Sequence, residues 1–346
     1  MMNKNKKLKI AWLINRDMGK RIFHQNDLNF LATFANTIEI ETLPVKIDEE
    51  YMKEKIKGAD ICITCWGTPK LTKAVLDNAT DLKVLAHGAG TPRAIIIDEV
   101  WEKQIRVFTA APIIAIDVAE TILGMMITLL KRYWQFNATT HRGLWTNSST
   151  EVDNQVNQMK RLNSFLKVGI IGASHVGRNL ISMLKPFGVK IHLYDPIVTE
   201  QQAEILGVKK VSMRELMSDS DVISVNAPNI PQTRNLVSSE MLKIMKDGTI
   251  FINTSRGPIV EEKALIEELK TGRIMAYLDV FGKEPLDSNS ELTKLENVVL
   301  SPHVSGGHTI NGRFEQGKYL VEQLYDYYTK GVLRNETVKD MMNVIA

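Results

Sequence analysis

The sequence predicts an α/β protein built on two doubly wound parallel sheets, and three observations lead there. Short β-branched apolar runs alternate with helix-like segments up to residue 109, and the same rhythm resumes at residue 165. A glycine-rich turn stands directly after the first strand of that second series. A chain of 346 residues has room for two such domains, each with its own buried core.

In the first series the strand-like runs fall at 8–14, 38–42, 60–66, 83–87 and 106–109. Strands separated by helical segments pair in parallel, because each return crosses a face of the sheet. Within 60–66, Cys62 and Cys65 stand three apart. On a strand that spacing sends side chains to opposite faces, so the two read as separate packing residues rather than a redox pair. The stretch 111–130 is the most apolar in the chain, yet Pro112, Asp117 and Glu120 fall in its first half. Each acid near a bilayer centre costs about 2.5 to 3.5 kcal/mol, so a soluble helix over 117–132, buried between domains or subunits, is expected. A polar stretch over 137–163 follows, with a loop at 147–150. The second series runs through 165–171, 189–194, 221–226, 249–253, 274–279 and 298–300, enough for a complete sheet. Segment 308–328 has helical periodicity and no strands beside it, so it is expected to pack elsewhere.

Forty-three basic residues stand against 40 acidic ones, a net charge of +3 spread along the chain. That balance implies neither a nucleic acid nor a membrane as partner. Lys4, Lys6 and Lys7 read as a solvated end without the apolar core of a signal peptide. With two cysteines in all, a reducing cytoplasm is expected. No metal-ligand cluster is expected.

Strand 165–171 runs into Gly172-Ala173-Ser174-His175-Val176-Gly177-Arg178 and an apolar helix. The pattern G-x-G-x-x-G serves a dinucleotide through a tight turn, a close backbone approach to the pyrophosphate and close helix–strand packing. Here Ser174 takes the middle glycine's place, where its Cβ crowds the phosphates while its hydroxyl can bond them. The phosphates are expected at the helix N-terminus. The next strand ends at Tyr194-Asp195-Pro196, 18 residues past Gly177, a spacing suited to a carboxylate that binds a ribose diol. An acid there repels a 2′-phosphate and no cation follows closely, so NAD rather than NADP is expected.

Three later segments each follow a strand of this sheet, where ligands bind in such folds. Asn253-Thr254-Ser255-Arg256-Gly257 offers a guanidinium able to grip a carboxylate and polarise a carbonyl. Asp279-Val280-Phe281-Gly282-Lys283-Glu284 offers carboxylates, and Ser301-Pro302-His303 offers an imidazole as proton donor and acceptor.

With these segments in order, the chain resembles the D-isomer-specific 2-hydroxyacid dehydrogenases. The most specific matches are Asn253 to Gly257, Asp279-Val280-Phe281 with Glu284-Pro285-Leu286, and Pro302-His303 before Ser305-Gly306. Val118-Ala119-Glu120, Arg142-Gly143 with Trp145, and His87-Gly88-Ala89-Gly90 match as well. The resemblance implies Arg256 as substrate anchor, His303 as acid/base and Glu284 as the partner that orients it. It implies substrate binding by Gly88, Ala89, Gly90 and Arg256. Trp66 reads either as an apolar wall at the pocket edge or as a core residue of the first domain. The expected cofactor set comprises Gly172, Ser174, His175, Val176, Gly177, Arg178, Asp195, Pro196, Asn226, Ala227, Pro228, Thr233, Thr254, Ser255, Arg256, Asp279, His303 and Gly306. Asp279 is expected at the nicotinamide amide. The resemblance further implies a homodimer and a split first domain, 1–116 with 307–346, holding substrate, around an NAD-binding domain, 117–306. Hinges are expected near Asp117 and Gly306.

Asn226 and Ile230 depart from the family's usual histidine and threonine. The segment Trp66-Gly67-Thr68-Pro69-Lys70-Leu71-Thr72 has no arginine of the kind phosphoglycerate dehydrogenases use to hold phosphate, so that substrate is the alternative, with Lys70 or Arg93 as substitutes. Glu284, where formate dehydrogenases of the superfamily carry glutamine, favours acid/base chemistry. The expected reaction interconverts a 2-oxo acid and a D-2-hydroxy acid by hydride transfer with NAD(H). An NAD(H)-sensing module of the corepressor kind is the alternative from another class.

Overall fold

A computed structural model describes residues 7–343. Lys4 and Lys6 lie outside the described residues, while the Lys7 ammonium donates to the Ala32 carbonyl. In chain order the strands are β1 (Ile10–Leu13), β2 (Ile61–Thr64), β3 (Val84–His87), β4 (Arg106–Thr109), β5 (Lys167–Ile171), β6 (Lys190–Tyr194), β7 (Lys209–Lys210), β8 (Val222–Val225), β9 (Ile250–Asn253), β10 (Met275–Leu278), β11 (Val298–Leu300) and β12 (Glu336–Thr337). The described residues divide into two compact units, one formed by 7–114 with 307–343, the other by 115–306.

The first unit carries the sheet β1-β2-β3-β4-β12, parallel except where β12 runs antiparallel to β4. Both faces are buried, as a parallel sheet requires. Ile10, Trp12, Ile61 and Ile63 enter one core with Leu320 and Leu324, whereas Ala11, Leu13 and Cys62 enter the other with Met52 and Ile56. Cys62 and Cys65 divide between these two cores as free thiols, and burial pushes each up to about 12. Helix Ile310–Lys330 supplies the outer layer of the first core. It lies so close to helix Arg16–Ile22 that a Cβ on Gly317 would stand 1.7 Å from the Ile22 carbonyl oxygen. The two-residue β12 is tied to β4 by a fork from the Arg106 guanidinium to both Glu336 oxygens, at 2.9 and 2.6 Å.

Segment 38–42 corrects a sequence expectation. Its alternating Ile-Glu pattern predicts a strand, but Ile40–Thr42 is a 3₁₀ turn in which the Thr42 N–H and hydroxyl both donate to the Glu39 carbonyl. Local bonds satisfy the backbone there. Ile38 and Ile40 pack on the core without any strand partner.

The second unit carries the seven-stranded parallel sheet β11-β10-β9-β8-β5-β6-β7. Its order reverses between β5 and β8, and the crevice beyond the carboxyl ends at that switch point is where such sheets bind ligands. Alternation again separates two cores: Val168, Ile170, Ile252 and Tyr277 face one, and Ile223, Phe251, Ala276 and Leu278 the other. Each fully buried Leu, Ile or Val contributes about 1.5 to 3 kcal/mol of transfer free energy. Helix Ala111–Leu130 is long and apolar enough to cross a membrane by length and composition. Its Ala119, Ile122, Met126 and Leu129 are buried in the first of these cores. The polar stretch after it holds helices Tyr133–His141 and Thr150–Val156 around the expected loop.

Candidate active site

Gly172 directly follows β5 with φ +97°, a backbone that glycine adopts without strain. A Cβ there would sit 2.9 Å from the Ala227 nitrogen, and one on Gly177 would sit 2.2 Å from the Gly172 carbonyl oxygen. The two glycines let helix His175–Leu184 start flush against the sheet, with its first N–H groups open at the switch point. Ser174 is the N-cap and its hydroxyl makes no capping bond, which leaves it available to an anion. His175 is exposed, Val176 packs against the core, and the Arg178 Nε donates to the Ala173 carbonyl at 2.9 Å.

Asp195 closes the same turn from the end of β6. One of its oxygens accepts from the Ala173 N–H at 2.8 Å, and the other accepts from the Ile197 and Val198 N–H groups at 2.8 and 3.2 Å. Pro196 beside it is exposed. Asn226 and Ala227 are buried at the end of β8, and the Asn226 amide nitrogen donates to the Ser224 carbonyl at 3.2 Å. Thr233 folds the following loop back: its hydroxyl donates to the Pro228 carbonyl and accepts from the Ile230 N–H at 3.0 Å.

At the end of β9, the Asn253 side chain accepts from the Ser255 N–H and donates to the Arg256 carbonyl, both at 3.1 Å. The Ser255 hydroxyl donates to the Ala227 carbonyl, joining the ends of β8 and β9. Thr254 is buried, and its hydroxyl has no hydrogen-bond partner among the described residues. Arg256 is held by a 2.7 Å bond from Nη1 to the Ser255 carbonyl. Gly257 admits the neighbouring loop, since a Cβ there would lie 2.0 Å from the Phe281 carbonyl carbon.

That contact brings the loop after β10 against the loop after β9. Glu284 spans to the loop after β11: Oε1 accepts from the Phe281 N–H at 3.0 Å, and Oε2 lies 2.7 Å from His303 Nδ1. His303 is exposed and has φ +56°, a left-handed backbone uncommon outside glycine. With Nδ1 taken by a carboxylate, Nε2 is the nitrogen left for chemistry. Asp279 is buried, and its oxygens accept from the Ser301 hydroxyl, the Val304 N–H at 2.9 Å and the Ser305 N–H at 3.0 Å. Gly306 is half-buried at the end of this loop.

In the first unit, Gly88, Ala89 and Gly90 follow β3. The Gly88 N–H donates to the Thr64 carbonyl at 2.7 Å, Ala89 is buried, and Gly90 has open space where a side chain would project. Trp66 is partly exposed, with its indole edge against Gly307.

The second unit therefore gathers Arg256, Glu284 and His303 at the carboxyl ends of adjacent strands, beside a turn shaped for a dinucleotide. The two obligatory glycines, the open helix N-terminus, the Asp195 carboxylate and the unpartnered Thr254 hydroxyl fit that cofactor. Sequence reasoning missed Tyr277, Ser301 and Ser305, whose hydroxyls lie 2.8 and 2.9 Å apart in turn across β10 and the His303 loop. Their one visible signal was a tyrosine on a core strand, since a buried phenol needs a partner.

Residues 123–305 match the family model described as "D-isomer specific 2-hydroxyacid dehydrogenase, NAD binding domain". The chain is 34% identical over 324 residues to a D-3-phosphoglycerate dehydrogenase of Methanocaldococcus jannaschii, covering 93% of this chain and 58% of that one. It is 30% identical over 322 residues to a glyoxylate reductase of Thermococcus litoralis, covering 92% of this chain and 95% of that one. A solved structure from Pyrococcus horikoshii OT3 superposes with a TM-score of 0.77 at 26% identity, covering 97% of both chains.

Proposed function

The chain belongs to the D-isomer-specific 2-hydroxyacid dehydrogenase family, and on that premise we propose that it reduces a 2-oxo acid to the D-2-hydroxy acid with NADH, and can run the reverse. The observation that carries this reading is the 2.7 Å pair of Glu284 and His303, set one loop away from Arg256. The Arg256 guanidinium holds the substrate carboxylate, and its charge counts most as the C2 oxygen turns negative. His303 delivers the proton from Nε2 to that oxygen while Glu284 keeps Nδ1 protonated and the ring oriented. The hydride chemistry at C2 is what a bound nicotinamide dinucleotide supplies. Gly172, Ser174 and Gly177 would hold its pyrophosphate and Asp195 its ribose diol, with NAD preferred over NADP.

Gly88, Ala89, Gly90 and Trp66 belong to the same proposal as substrate-binding residues. The substrate is a small 2-oxo acid. 3-Phosphohydroxypyruvate is the second reading, favoured by the relative in Methanocaldococcus jannaschii. We also propose that it is cytoplasmic, without a nucleic-acid or membrane partner, and that it forms a homodimer; the exposed rings of Tyr133, Trp134 and Trp145 support the homodimer.

The test is NADH oxidation by the wild type and His303→Asn against glyoxylate, pyruvate, hydroxypyruvate, phenylpyruvate and 3-phosphohydroxypyruvate, repeated with NADPH. Turnover that disappears in the variant is the expected result, and the panel ranks the substrates. Tight NADH binding without turnover on any oxo acid would instead indicate a sensing module.

A further inference from the structure

The loop that carries His303 is tied down on both sides by one strand. Asp279 and Tyr277 project from β10 and its end. Asp279 accepts the Val304 and Ser305 N–H groups and the Ser301 hydroxyl. The Tyr277 hydroxyl, buried beneath the loop, lies 2.8 Å from the Ser301 hydroxyl and 2.9 Å from the Ser305 hydroxyl. Ser305 is also held through its carbonyl, which accepts from the Thr121 hydroxyl at 3.1 Å.

Donor counting orders this network. A serine hydroxyl has one proton, and Ser301 gives its proton to Asp279, so Ser301 must accept from Tyr277. Tyr277, its own proton used, must accept from Ser305. The bonds therefore run in one direction, from Ser305 through Tyr277 and Ser301 to the Asp279 carboxylate, and each polarises the next. Burial pushes the Tyr277 phenol up, so it stays protonated and keeps donating. The clamp grips Ser301, two residues before His303, together with Val304 and Ser305 just after it. Between these anchors the imidazole-bearing residue adopts its left-handed backbone.

We propose that Tyr277 is a positioning residue for His303, fixing through Ser301 and Ser305 the loop conformation in which the imidazole meets Glu284. This rests on the dehydrogenase reading, in which His303 moves the proton. A misplacement of about 1 Å in such a group costs up to about 100-fold in rate, and the phenol oxygen is the atom that prevents it.

The test compares wild type, Tyr277→Phe, Ser305→Ala and Ser305→Thr. Tyr277→Phe and Ser305→Ala should lower kcat by about 10-fold, with NADH affinity and the KM for the oxo acid held within about twofold of wild type. Their solvent deuterium isotope effect on kcat should rise, because proton transfer becomes slower, and Ser305→Thr, which keeps the hydroxyl, should restore both. A loss of activity that follows only the folded fraction, with the isotope effect unchanged, would overturn the proposal. Amide hydrogen exchange at Val304 and Ser305 gives a readout independent of turnover: it should quicken in Tyr277→Phe, and unchanged exchange rejects the clamp even if no oxo acid is reduced. Absence of turnover in the wild type itself would count against the dehydrogenase reading instead. If Tyr277→Phe fails to fold, Ser305→Ala and Ser305→Thr carry the same comparison.

Discussion

Glu284 places one carboxylate oxygen 2.7 Å from His303 Nδ1 and the other 3.0 Å from the Phe281 N–H, so the side chain that orients the imidazole is itself held by backbone. Glu284→Gln keeps the shape and removes the charge. The imidazolium then lacks its anionic partner, so reductive kcat/KM should fall about tenfold or more. A kcat/KM of the variant within about twofold of the wild type would remove Glu284 from this role.

Gly177 faces the Gly172 carbonyl oxygen across a gap that no Cβ can enter. Gly177→Ala must push helix His175–Leu184 away from β5, which overpacking energetics put at about 1 to 3 kcal/mol. The same movement displaces the helix N-terminus from the position proposed for the pyrophosphate. Thermal unfolding and NADH fluorescence titration should show a lower Tm and an affinity weakened by about tenfold or more.

Asp195 accepts three backbone N–H bonds and still has acceptor capacity facing the turn. Asp195→Ala removes the carboxylate proposed both to accept from the ribose diol and to repel a 2′-phosphate. The KM for NADH should rise by about tenfold while the NADPH-to-NADH ratio of kcat/KM increases. An unchanged ratio would assign cofactor choice to other residues.

His87 ends β3 in the interior of the first unit, with Nδ1 2.9 Å from the Thr64 hydroxyl. Burial pushes its imidazole down from 6.5 to about 4. The unfolded chain therefore takes up a proton near pH 6.5 that the folded chain refuses until about pH 4. Stability from this group is complete above pH 6.5 and is lost as pH falls from 6.5 towards 4, by as much as about 3 kcal/mol. Denaturant unfolding at about pH 7 and about pH 4.5 should show this loss in the wild type and a smaller one in His87→Gln. Equal losses in both would place the acid sensitivity elsewhere.

Much of the site was legible because its signals are local. The turn at Gly172 to Gly177 announces itself through spacing and backbone demand, and Arg256, Glu284 and His303 each follow a strand that its own apolar run predicts. The strand runs 106–109 and 298–300 were read with the bounds that the structure shows. The two-residue strands Lys209–Lys210 and Glu336–Thr337 were not, being too short to carry a period. Segment 38–42 did carry a period, but the local 3₁₀ turn over Ile40–Thr42 takes up its backbone.

The sequence by itself determined the α/β class, the two sheets, the glycine turn and the order of the candidate catalytic residues, because glycine spacing and apolar alternation are properties of neighbours along the chain. Tertiary structure alone decided which donors reach which acceptors. It set Asp279 beneath the His303 loop, gave Tyr277 its two serine partners and turned 38–42 away from the sheet. A buried polar group bonds whatever the fold brings within about 3 Å, and that neighbour is set by packing across the sheet rather than by separation in sequence.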